Sequence, residues 1–132
     1  MSKPLLYSII ESPFHPHLTA LYHQAGLEEL CFRNMRKVML KIKKKPPAFI
    51  AAEFFYGYSN NYAGVNISNM DVLLFSLQKY APQAKVLVFV DKKERQYVDK
   101  LNQIFPLHGV FIKPISEPEI KPYLDIVGSV ER

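Results

Sequence analysis

Apolar positions along the chain switch between two spacings. LLYSII (5–10) is nearly continuous and predicts a buried strand, after which Leu18, Leu21, Tyr22 and Ala25 share one face of a helix stopped at Gly26. A short strand around Leu30 to Phe32 follows. The next helix carries its apolar stripe on Met35, Val38, Met39 and Ile42 and is ended by Pro46 and Pro47. FIAAEFF (49–55) predicts a third strand. KVLVFV (85–90) predicts a fourth, without polar alternation, as suits a strand covered on both faces. Between these two, Ser68 and Asp71 have capping-box spacing, and Ile67 and Val72 are placed to form a hydrophobic staple, so a helix is expected from near Asn69. Asp91 and Glu94 repeat the cap spacing before a stripe of Tyr97, Val98, Leu101, Ile104 and Phe105. VFIKPI (110–115) is the fifth strand. Ser116 with Glu119 then caps a last helix facing inward through Ile120, Tyr123, Leu124 and Val127.

Five strands, each followed by a helix, predict an α/β fold. Parallel strands need crossover connections, and right-handed crossovers place helices on both faces of the sheet. The expectation is a three-layer α/β/α sandwich around a five-stranded parallel sheet of order 2-1-3-4-5, with any site at the C-terminal strand ends. At 132 residues the chain suits one domain spanning 1–132, with a long loop at about 55–67 and no internal repeat. Apolar residues at 48% and charged residues at 22% exclude a disordered chain.

No apolar run reaches membrane-spanning length and no signal-peptide pattern opens the chain, which predicts a soluble cytoplasmic protein. Cys31 stands alone between Leu30 and Phe32, so it is expected to be a buried structural thiol. The net charge of +5 is uneven. Arg33, Arg36, Lys37, Lys41, Lys43, Lys44 and Lys45 supply seven of the seventeen basic residues. Such a run over 33–45 suits either an anionic partner or a solvated helix face.

With the units in place, the chain resembles a response-regulator receiver domain, a CheY-like, flavodoxin-like fold, over nearly its whole length. The carriers are KPPAFIAAEFF, similar to the strand that ends in that family's phospho-accepting aspartate; KVLVFVDKKE, similar to its fourth strand; and GVFIKPIS, matching its Lys-Pro strand end. By this resemblance Glu53 lies at the phospho-acceptor, Glu11 and Ser12 at a pair of metal-binding acids, and Lys113 at the phosphate-contacting lysine. Val90 lies at the switch Thr or Ser, and Val110 where an aromatic ring commonly changes rotamer. Only Lys113 keeps the family's residue type, so the resemblance implies a degenerate pseudo-receiver.

The chemistry leads the same way. Phosphoryl transfer to a carboxylate needs a divalent ion held by hard oxygens, at ~2.0–2.1 Å for magnesium, and a donor that neutralises the incoming charge. Glu53 is a methylene longer than aspartate, Ser12 is neutral and Val90 cannot donate a hydrogen bond. Misplacement by ~1 Å costs on the order of 100-fold in rate. No efficient phosphorylation is expected at Glu53. A fixed contact between Glu53 and Lys113, with Glu11 nearby, is the electrostatic remnant to look for.

Glu53 and Asp71 are eighteen positions apart, a longer connection than that family commonly has. It carries Tyr56, Tyr58, Asn60, Asn61, Tyr62 and Asn66, amphipathic rings and adaptable amides that suit a binding loop. The bland counterpart is a loop that plugs its own pocket with tyrosines. His15-Pro16-His17 reads as a stiff loop rather than a metal cage, and neither metal nor cofactor is expected. His23 and His108 read as surface or capping residues. The basic helix keeps its charges opposite its apolar stripe and lacks a groove-reading motif, so nucleic acid is the weakest of the partner readings.

The leading expectation is a non-enzymatic, phosphorylation-independent signalling module of two-component type. It would bind a protein partner or a second copy through the tyrosine and asparagine loop, or through the last strand and last two helices, a surface that the receiver resemblance implies. The alternative is a flavodoxin-like small-molecule or nucleotide binder with 56–66 as its lid. Against it, ESPFHPHL after the first strand has no glycine to let backbone approach a phosphate.

Overall fold

Continuous apolar runs form the strands because both faces of the sheet are covered. The computed structural model describes residues 3–13, 15, 17–56 and 68–124. Its elements are β1 (Leu5–Ile9), α1 (Thr19–Gln24), β2 (Glu28–Phe32), α2 (Met35–Lys41), β3 (Phe49–Glu53), α3 (Asp71–Tyr80), β4 (Lys85–Val90), α4 (Arg95–Val98), β5 (Gly109–Ile112) and α5 (Glu117–Ile120). The sheet is parallel throughout, in the order β2-β1-β3-β4-β5, as the pattern predicts.

Alternation along the strands divides the core in two. Tyr7, Ile9, Ile50, Ala52, Val86, Val88 and Val90 pack against α2, α3 and α4 through Val38, Ile42, Leu73, Leu74, Leu77 and Val98. On the other face Leu6, Phe49, Ala51, Leu87, Phe89 and Phe111 meet Leu18, Leu21 and Tyr22 of the α1 region and Ile120 and Leu124 of the α5 region. Burial pushes the Tyr7 hydroxyl up to about 12, and that hydroxyl donates to the Lys45 carbonyl oxygen, fastening the end of the α2 connection to β1. Gly26 has a φ of 83°, the left-handed turn that lets α1 run straight into β2.

Several local expectations are changed by packing. Ser116 and Glu119 do cap α5, the Glu119 carboxylate accepting from the Ser116 N–H at 3.2 Å and its hydroxyl at 2.9 Å. Asp71 reaches back to the Ser68 N–H at 2.9 Å and hydroxyl at 2.8 Å, but α3 starts at Asp71 itself with Met70 in the cap position, so these bonds close the turn before the helix and do not cap it. Of the expected staple, Ile67 lies outside the described residues and Val72 is half exposed, turned away from the core by α3 itself. The Asp91–Glu94 cap does not form. Asp91 makes no side-chain cap bond, and Glu94 turns instead to the Tyr56 N–H at 3.1 Å. The helix expected through Phe105 is α-helical only to Val98 and continues as a 3-10 turn over Asp99–Gln103. Tyr123 is partly exposed, and Val127 lies outside the described residues.

Cys31 is a correction: it is exposed, not buried. β2 is an edge strand, and the six-residue α1 is too short to cover the face carrying Glu29 and Cys31.

Candidate functional site

β3 ends at the C-terminal rim between β1 and β4, and Glu53 is its last residue, on the face that also carries Phe49 and Ala51. Only 1% of Glu53 is exposed. A charge there must be paired. One carboxylate oxygen, Oε1, accepts the backbone N–H of Glu11 at 2.7 Å and of Ser12 at 2.8 Å, where the chain leaves β1. The other, Oε2, accepts from the Lys113 ammonium at 3.0 Å. Lys113 reaches across from β5, its own N–H donating to the Val90 carbonyl at 2.9 Å, and its ammonium also lies 5.3 Å from the centre of the Phe55 ring.

Of the residues singled out from the sequence, the fold thus brings together Glu53 and Lys113 through side chains, and Glu11 and Ser12 through backbone amides. Val90 is fully buried at the end of β4 and offers only its carbonyl. Val110 is half-buried against the core on the α2 side. The Glu11 carboxyl sits above its ordinary range, first because it is partly buried and second because the Glu53 carboxylate repels its charge. Among the described residues no three His, Cys, Asp or Glu side chains converge as a metal site.

Beside the rim, Asn69 closes the neck of the long loop. Its Oδ1 accepts the Phe55 N–H at 2.7 Å and its Nδ2 donates to the Glu53 carbonyl at 2.8 Å. Its backbone N–H donates to the Phe55 carbonyl at 3.2 Å. Tyr56 and Ser68 form an antiparallel bridge one step further out. Tyr56, 47% exposed, stacks on Tyr97 of α4 with ring centres 3.7 Å apart and 13° between planes. Tyr58, Asn60, Asn61, Tyr62 and Asn66 lie outside the described residues. Asn69 and Glu94 were not legible as site residues. Asn69 follows a serine with capping-box spacing and so reads as a helix start, but nothing in its neighbourhood signals a reach to β3.

On the α1 side of the sheet a cavity of about 360 Å³ is bounded by Ser8, Ser12, His15, Thr19, Glu29 and Cys31, among others. The His15 ring packs 4.8 Å from Phe89, and its Nδ1 finds no hydrogen-bond partner among the described residues. Burial holds the His15 pKa below 6.5; Lys113 and His17 push the same way, while Glu53 and Glu29 oppose. The neutral ring is therefore the folded form, and the unfolded chain takes up the proton first as pH falls. Stability should drop below about pH 6.5 and recover above it. The measurement is urea unfolding on either side of that pH. In His15→Phe, which keeps a ring against Phe89, this part of the pH dependence should vanish; an unchanged profile would assign the effect elsewhere.

No family model matches the sequence and no curated protein matches it. Solved structures do match in shape. A response regulator protein from Burkholderia multivorans is 14% identical, covers 98% of this chain and 96% of its own, and has a TM-score of 0.64. A DNA-binding response regulator of the LuxR family from Staphylococcus aureus is 15% identical, with 98% and 99% covered and a TM-score of 0.67. A response regulator protein from Burkholderia pseudomallei, with a phosphorylated aspartic acid, calcium ion and citrate, is 14% identical. It covers 97% of this chain and 70% of its own, at a TM-score of 0.66. At this level of identity the likeness shows the fold, a CheY-like receiver fold, and no shared chemistry.

Proposed function

We propose that this chain is a phosphorylation-independent pseudo-receiver, a non-enzymatic cytoplasmic signalling module of two-component type that acts by binding another protein. The observation that carries the reading is the Glu53 carboxylate. It stands where the resemblance puts the phospho-acceptor, and both of its oxygens are engaged, one by two backbone amides and the other by Lys113. To attack a phosphoryl group it would have to surrender these bonds in a buried setting. Its neighbours Glu11 and Ser12 bring one carboxylate rather than the acidic pair that would hold a divalent ion, and Val90 has no hydroxyl to read out a phosphoryl oxygen. Conformation is therefore set by a permanent internal ion pair.

Binding through the tyrosine and asparagine loop, with Tyr58, Asn60, Asn61, Tyr62 and Asn66 at its centre, is supported by how its base is held. The Asn69 bonds and the Tyr56–Tyr97 stack fix where the segment leaves and re-enters the sheet rim. Rigid anchorage lowers the ordering cost of a binding loop. The alternative contact surface is the last strand with the last two helices, where Ile112 and Tyr123 are both partly exposed.

The test is direct. Incubated with a small-molecule phosphodonor and magnesium and then weighed intact, the protein should gain no phosphoryl mass. Glu53→Asp, which restores the aspartate, should also stay unmodified because the acidic pair and the hydroxyl are still missing. Stoichiometric phosphate on Glu53 of the unaltered protein would sink the reading.

A further inference from the structure

Two long stretches of this chain contain no acidic residue, positions 30–52 and 72–90. The first carries Arg33, Arg36, Lys37, Lys41, Lys43, Lys44 and Lys45, and the second Lys79 and Lys85. The fold lays α2 against α3 on one side of the sheet, which brings the Lys43 and Lys79 ammonium groups to the same tyrosine ring. The one acid of α3, Asp71, is buried and turned toward Ser68.

A solvated helix face is mostly polar, and these two adjacent helices together expose three large apolar side chains among their cations. Leu40 of α2 is 69% exposed, opposite the inward Val38 and Ile42. On α3, Leu73, Leu74 and Leu77 point inward while Val72 and Phe75, three positions apart, are 51% and 57% exposed. Between the helices the half-buried ring of Tyr80 has the Lys43 ammonium 5.7 Å and the Lys79 ammonium 5.4 Å from its centre. Cations and exposed apolar side chains are thus combined on two adjacent helices.

We propose that the α2–α3 face docks an acidic amphipathic helix of a partner protein. Such a helix offers apolar side chains at three- and four-residue spacing to Leu40, Val72 and Phe75, with flanking carboxylates for Arg36, Lys37, Lys43, Lys44 and Lys79. A second copy of this chain is a poor occupant, because two such faces would bring like charges together. Nucleic acid would neutralise the cations but gives Leu40 and Val72 no apolar partner. This surface is separate from the Glu53 rim, and its occupancy does not depend on whether Glu53 accepts phosphate.

The probe is a synthetic helical peptide with leucine at every third or fourth position and glutamate elsewhere, added to the full isotope-labelled chain and followed by amide shifts and fluorescence anisotropy. Shift changes should map to α2 and α3. The double variant Leu40→Ser with Phe75→Ser, which alters no charge and no buried residue, should weaken binding by at least about tenfold. Unchanged far-ultraviolet circular dichroism would establish that this variant is folded. A scrambled peptide of the same composition, lacking the leucine stripe, should bind by a similar factor more weakly. Equal binding of scrambled and striped peptides, indifference to the serine variant, or shifts centred on other elements would each overturn the proposal. So would stronger binding of phosphatidylserine vesicles or of a single-stranded oligonucleotide at the same face.

Discussion

Replacing Glu53 by alanine should destabilise the protein by about 3–5 kcal/mol, the usual consequence of leaving one member of a buried pair behind. The Lys113 ammonium and the amides of Glu11 and Ser12 all lose their acceptor at once, in a position from which water is nearly excluded. Lys113 is the more exposed partner and recovers some hydration, which points to the lower end of that range. Chemical unfolding measures the loss. Glu53→Gln should fall between, because its amide oxygen still serves the two N–H groups while its NH2 group faces the Lys113 ammonium. Combining Glu53→Leu with Lys113→Met should recover much of the loss, since the charge that made the single change costly is gone. A loss under about 1 kcal/mol for Glu53→Ala is what a solvated surface pair gives, and that result would remove the buried carboxylate from the account of function.

The second large effect belongs to Asn69. Substituting alanine leaves the Phe55 N–H and the Glu53 carbonyl without their partner, at about 1–3 kcal/mol for each buried group left unsatisfied. A total near 2–4 kcal/mol is expected, because Phe55 is only half-buried and can recover some hydration. The change should also be local, since these bonds hold the two ends of the loop segment together at the rim. Limited proteolysis between residues 56 and 68 should accelerate more than the global loss accounts for. Asn69→Asp keeps the acceptor for Phe55 but sets a carboxylate oxygen against the Glu53 carbonyl oxygen in a buried position, so it should cost at least as much as alanine. If both variants resist protease as the parent does, Asn69 does not close the neck.

These two residues differ in how far they could be read in advance. Glu53 was visible as a carboxylate interrupting an apolar strand, at the end where parallel sheets place their sites, and Lys113 as the basic residue at the end of the fifth strand. Their contact spans sixty positions and depends on β1, β3, β4 and β5 all ending at one rim in register. Asn69 carried no comparable signal, because its function is to satisfy backbone groups. Any amide or carboxylate of suitable reach would look the same in a sequence. Glu94 illustrates the opposite failure. Its spacing from Asp91 suits a cap, yet the exposed N–H of Tyr56 lies closer to hand once the Tyr56 ring stacks on Tyr97.

Local spacing by itself determined the five strands and most of the inward faces of the helices between them, because alternation and helical stripes are written in neighbouring residues; the sheet order followed from the rules for parallel crossovers. It also located the carboxylate, while the lysine was singled out by the receiver resemblance. Only the tertiary structure decided that Glu11 and Ser12 reach Glu53 through their backbone amides, that Cys31 faces out, and that α2 and α3 lie side by side with exposed apolar side chains among their cations. Each of those outcomes depends on which groups distant in the chain compete for the same atoms or leave the same surface uncovered. Neither competition nor coverage is encoded at the spacing of a single element.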